Sequence, residues 1–127
     1  MTAMAERRMK DKTMEIYDDH GEFEFSIEES VEDGSMLILL DGKIKNEVAY
    51  DFEDEVIAAL SVCPKVILDM NKLTYIASIS LQSLLNVQRL IDNMDGASMK
   101  LVHVSKEVMK ILDESGFSDI LEIEEDA

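Results

Sequence analysis

Residues 66–70 are apolar apart from Asp69, and a short polar stretch then leads into apolar positions at helical spacing that begin after Ser78. A short apolar run of this kind reads as a strand covered by neighbours, and Leu81, Leu84, Leu85, Ile91 and Met94 read as one face of a helix stopped by Asp95 and Gly96. Such a strand needs a partner. Residues 36–40 supply a second, almost continuously apolar run, and Val48, Phe52, Val56, Ala59 and Leu60 between the two recur at helical spacing, with Asn46 placed to cap that helix. Two strands joined through a helix lie parallel in a right-handed crossover, so the chain is an α/β protein.

The rest of the chain extends this pattern. Phe23, Phe25 and Ile27 alternate with Glu24, Ser26 and Glu28, the period of a half-buried strand, and residues 32–35 supply turn chemistry for a hairpin into 36–40. That second strand is expected to be central, covered on both faces, and ended by Asp41 and Gly42. Residues 98–104 read as a further strand. Ser105 caps a short helix with Glu107 in its first turn and Gly116 just past its end, and residues 117–123 add a last strand. The order is strand, strand, helix, strand, helix, strand, helix, strand, which gives a mixed sheet.

Composition limits the function. A chain of 127 residues fits one core, and a formal net charge of −16 leaves too few cations to neutralise a phosphate backbone, which argues against nucleic acid. No apolar run reaches the roughly 18 residues of a membrane span, and the charged first dozen residues lack the apolar core of a signal peptide, so a cytoplasmic location is expected. Cys63 stands alone before Pro64 and reads as a small semi-buried thiol.

Ser78 is the first functional candidate, because a helix N-terminus presents unpaired N–H groups and the positive end of the dipole to a hydroxyl or a phosphate. The plain alternative is a helix cap contributing about 1 kcal/mol. Ser80 and Ser83 stand close by. His20, in a short acidic stretch with Asp18 and Asp19, matches no metal-site spacing and reads as turn chemistry. His103 lies in an expected strand without a nearby acid or thiol. Asp69 is the nearest acid to Ser78 in sequence, and its expected task is to orient backbone N–H groups. A hydrolase using Ser78 lacks a convincing base and a phosphate-cradling glycine loop.

Three segments carry a resemblance: residues 40–44; residues 66–70 continuing through Leu73, Thr74, Tyr75, Ile76, Ala77, Ser78, Ile79, Ser80 and Leu81; and residues 111–121. They resemble the STAS domain of bacterial anti-sigma-factor antagonists over roughly residues 22–124. The alternation of periods and the resemblance together give a mixed β-sheet of four or five strands with α-helices packed mainly on one side and a domain over 22–127, and the first residues, which show no sustained period, are expected to belong to a flexible N-terminal segment over 1–21. In that family the loop after the third strand reads Asp, Ser, Ser or Thr, Gly, Leu, and its first serine is phosphorylated by a kinase that doubles as the anti-sigma factor. Here those positions hold Ala77, Ser78, Ile79, Ser80 and Leu81, so the acceptor hydroxyl is present while the acid and the glycine are absent. An aspartate found near the first helix of many antagonists falls on Lys45.

The resemblance therefore implies Ser78 as phosphoacceptor, Ser80 as second candidate, and Lys45, Asn46, Ala77, Ile79 and Gln82 as partner contacts. The expected role is an antagonist that binds an anti-sigma factor or serine kinase, is served by a phosphatase, regulates sigma-factor-dependent transcription and is switched at Ser78. The alternative is a non-phosphorylated STAS adaptor or scaffold that binds a signalling protein constitutively. Neither reading calls for a cofactor, a metal, nucleic acid, a membrane or catalysis by this chain.

Overall fold

The computed structural model of the chain describes residues 12–124. Within them one six-stranded mixed sheet carries three helices. Strands β1 (Lys12–Tyr17), β2 (Phe23–Glu32) and β3 (Ser35–Ile44) form an antiparallel meander. Strands β4 (Lys65–Ile76), β5 (Ser98–Val102) and β6 (Glu122–Ile123) follow in parallel, with α1 (Ala49–Val62), α2 (Ser78–Asp92) and α3 (Lys106–Glu114) as the crossovers.

The strands lie in the sheet in chain order. Every parallel crossover therefore steps the same way, and right-handed connections then place all three helices on one face. Burial follows: Met36, Ile38 and Leu40 of β3 and Val66, Leu68 and Met70 of β4 are buried, whereas Leu39 is 37% exposed and Leu37 and Ile67 are half-buried. The expectation that residues 36–40 are covered on both faces is thus corrected. An apolar run shows that a strand is central, but only the direction of the crossovers decides whether its second face is covered.

Other boundaries also move. Lys12–Tyr17, inside the stretch assigned to a terminal segment, is the edge strand β1, with Met14 and Ile16 packed partly against the core. Two alternating apolar residues were too weak a signal to find it. The remaining part of that assignment, residues 1–11, and the charged tail at 125–127 lie outside the described residues. The two-residue turn at Asp33 (φ 52°) and Gly34 (φ 80°) has both central residues left-handed, the type I′ geometry that matches strand twist.

Gly42 does not end β3. The strand passes through it at φ 101°, where a Cβ would overlap the Glu24 carbonyl, and the pairing with β4 shifts register on either side. β4 likewise absorbs the polar stretch expected to be a loop and runs to Ile76. At the other end, β5 stops at Val102, leaving His103 exposed at φ 55° outside the strand, and 117–123 gives only a 3₁₀ turn (Phe117–Asp119) and the short β6.

The helices close the core. Phe52, Val56, Ala59 and Leu60 of α1 are buried as expected, and the Phe52 ring meets Phe25 of β2 edge-on at 6.5 Å. α1 is entered through a 3₁₀ turn (Asn46–Val48) with Lys45 before it and no side-chain cap, so Asn46 does not cap it. Ser105 does cap α3, accepting from the Val108 N–H at 3.2 Å. Cys63 is buried and directs its thiol to the Gly34 carbonyl at 3.0 Å, which gives it a packing role.

Candidate functional site

β3 and β4 are parallel neighbours, and their last residues, Ile44 and Ile76, stand side by side. The chain therefore leaves the sheet twice at one place, into the 3₁₀ turn and into α2. Ile44 joins the two exits: its carbonyl accepts from the Ala77 N–H at 2.9 Å and from the Ser80 hydroxyl at 3.3 Å. One turn on, the Ser83 hydroxyl donates to the Ala49 carbonyl at 3.3 Å. Two buried serines thus tie α2 down, Ser80 to the end of β3 and Ser83 to the start of α1.

Ala77 holds the N-cap position of α2, with extended backbone and no side-chain cap, and no acidic residue lies in the first turn. Ser78 is the first helical residue and is exposed. The reading of Ser78 as a plain cap is corrected here, since capping needs a side chain one residue earlier. What remains at Ser78 is an exposed hydroxyl on the uncompensated positive end of a helix dipole.

Ser80 behaves differently. It is fully buried, with its hydroxyl committed to Ile44, so it offers no accessible acceptor, and its second-candidate place is corrected. The helical period turns position 80 inward while positions 78, 79 and 82 face out.

The other candidates divide as well. Lys45 is half-exposed and held by Glu24 of β2 at 3.2 Å. Asn46 and Gln82 are exposed, and Gln82 donates to Asn86, which in turn donates to Glu53 of α1. Ile79 is 41% exposed, whereas Ala77 is buried, with its N–H on Ile44 and its carbonyl accepting from Leu81. Lys45, Asn46, Glu47, Tyr75 and Ala77 line one shallow cleft beside the α2 terminus. Tyr75, 43% exposed, is the member that the sequence reading missed. Its signal was the exposed phase of β4 between buried Leu73 and Ile76.

Beyond Lys45 lies a carboxylate-rich patch around Asp18, Asp19, Glu24, Glu47 and Asp51. Asp18 Oδ1 accepts from the Glu22 and His20 N–H groups at 2.9 and 2.8 Å, and these bonds, with Lys45 adding to them, hold its carboxyl below the ordinary range. His20 therefore lies in a turn organised by Asp18. Among the described residues no group of three potential ligands could hold a metal ion. Asp69 accepts from the Asn71 N–H at 2.9 Å, as expected of an orienting acid. It lies roughly 20 Å along β4 from the helix terminus, out of reach of Ser78.

Comparison with known proteins follows from this geometry. The STAS domain matches residues 26–127. An anti-sigma factor antagonist from Mycobacterium paratuberculosis superposes with a TM-score of 0.71 at 13% identity, covering 85% of this chain and 89% of its own. The phosphorylated form of the Bacillus cell fate determinant SpoIIAA gives 0.59 at 16% identity, covering 79% and 92%. A sulfate transporter family protein from Wolinella succinogenes gives 0.60 at 23% identity, covering 72% and 74%. No curated protein matches the chain. At these identities the likeness is one of fold. Among the described residues no helix is long and apolar enough to cross a membrane.

Proposed function

The chain belongs to the STAS domain family, and from that premise we propose that it is an anti-sigma-factor antagonist that binds an anti-sigma factor or serine kinase through the start of α2, with Ser78 as the switch. The observation that carries this reading is the contrast between two serines in one helical turn. Ser78 is exposed beside Tyr75 and Ile79, while Ser80 is buried and structural. A phosphate on Ser78 adds about −1.5 to −2 charges where the dipole favours an anion, so the domain stays folded. The same charge next to exposed Ile79 and Tyr75 loses hydration when a partner covers them, and binding weakens. Structures of a phosphorylated SpoIIAA and of an antagonist among the similar folds support this reading. Asp69, the acid nearest Ser78 in sequence, bonds the Asn71 N–H roughly 20 Å away along β4, which supports a regulator without chemistry of its own.

A second reading has its own observation. Ala77 leaves α2 uncapped where the family carries an acid, and Ser80 fills the glycine position with a buried hydroxyl. A loop fixed in this way suits a STAS adaptor that binds constitutively. Co-purification from the native cell, with mass spectrometry of Ser78 and of the bound protein, separates the two. A partner released on phosphorylation supports the switch; a partner retained by unmodified chain and by Ser78→Asp alike supports the adaptor; and loss of all binding with Tyr75 and Ile79 intact overturns both.

A further inference from the structure

The sheet face opposite the helices is a second surface, separate from the α2 terminus. Among the described residues all three helices pack on the other face. Across it Leu37 pairs with Ile67 and Leu39 with Asp69, and on the other side Ser30 and Glu28 flank the two leucines. Leu37, Leu39 and Ile67 therefore form an apolar island about one strand spacing wide and two residues long, roughly 5 by 7 Å, which is about the apolar contact of a single helical turn. Parallel strands seldom leave such residues open, because their faces are usually covered.

Carboxylates border the island at Leu39, while Ile67 has Lys65 two residues before it and Lys100 beside it, the latter paired with Glu124 at 3.3 Å. At the register shift between Leu39 and Asp41 the strands part into a cleft lined by Leu39 with Glu28, Asp41 and Asp69, against a single cation, Lys72. Asp69 uses Oδ1 for the Asn71 N–H, which leaves Oδ2 for another donor. Apolar residues beside three carboxylates select an occupant with aliphatic side chains on one face and a guanidinium or ammonium alongside.

We propose that this face docks a basic amphipathic helix of a partner protein, with aliphatic side chains on Leu37, Leu39 and Ile67 and an arginine or lysine in the cleft between Glu28, Asp41 and Asp69. A second copy of the chain is a poor occupant, because each copy carries a net charge of −16.

The test uses the full chain and a leucine–arginine peptide of roughly four helical turns with leucines at helical spacing. Its control is a peptide of the same composition with the leucines scattered, which measures general attraction to an acidic protein. Amide shifts at Leu37, Leu39 and Ile67, with binding weakened about tenfold for the scattered peptide and for Leu39→Gln, are the expected result. Leu39→Gln leaves every charge in place, so its loss of affinity reports the apolar contact. Glu28→Gln with Asp41→Asn reports the cleft, and circular dichroism checks the fold of each variant. Ser78→Asp is expected to bind the peptide within twofold of wild type. Equal binding of the scattered peptide, shifts confined to α2, or unchanged affinity in Leu39→Gln overturns the proposal. A wild-type dimer in sedimentation that Leu39→Gln dissociates also overturns it, by giving the face to a second copy.

Discussion

Replacing Ser78 and Ser80 in turn by aspartate puts the same new charge two residues apart in one helical turn, and the structure assigns opposite signs to the results. Ser78 is exposed in a first turn with no acid and no side-chain cap. A carboxylate there complements the dipole and gains about 0.3–1 kcal/mol. Ser80 is fully buried, with its hydroxyl 3.3 Å from the Ile44 carbonyl. An aspartate at that position brings an unpaired anion against a carbonyl oxygen at a cost on the order of 3–5 kcal/mol, a large part of the roughly 5–15 kcal/mol that holds a domain together. The control is Ser80→Ala. Ile44 still accepts from the Ala77 N–H at 2.9 Å, so no acceptor is stranded and the loss stays near 1 kcal/mol. Thermal unfolding followed by circular dichroism reads these as a gain of a few degrees for Ser78→Asp, a loss of a few for Ser80→Ala, and a loss of more than about 10 °C for Ser80→Asp. Burial raises the carboxyl pKa in Ser80→Asp, so its deficit shrinks as pH falls and the group becomes neutral. A destabilised Ser78→Asp, or a Ser80→Asp as stable as wild type at neutral pH, refutes the separation of the two serines.

Ala77→Asp supplies the missing α2 cap and raises stability by about 0.5–2 kcal/mol in urea unfolding; with Ser80→Gly it also raises the rate of phosphate incorporation at Ser78 by a cognate kinase. Gly42→Ala forces a left-handed backbone and an overlap with the Glu24 carbonyl, and loses at least about 1–3 kcal/mol in the same assay. Asp18 titrates below the ordinary carboxylate range. Its two N–H bonds are intact above that range and are lost as pH falls through the lowered value, which NMR detects as coincident shifts of the His20 and Glu22 amides.

Much of the fold was readable because its signals are periodic and local. The buried faces of α1 and α2, the Asp33–Gly34 turn and the Ser105 cap each depend on residues within a few positions of one another. β1 escaped and β6 was drawn too long, because an edge strand of six residues and one of two carry little period of their own and exist through pairing with a neighbour. Gly42 misled for a related reason. A glycine in an apolar run signals a break, yet here it answers to a carbonyl on the adjacent strand, 18 positions away.

At the candidate site, the sequence by itself determined that a strand runs into a helix near Ser78 and that the helix has one apolar face, since spacing along one chain fixes both. It could not rank Ser78 above Ser80 by exposure or name Tyr75. Those depend on where the Ile44 carbonyl lies, and that is set by the parallel pairing of β3 with β4 across a 14-residue helix. The uncovered sheet face is decided in the same way. Each crossover has its handedness from chain chirality, but only the order of strands in space turns three equal hands into one helical face and one open one.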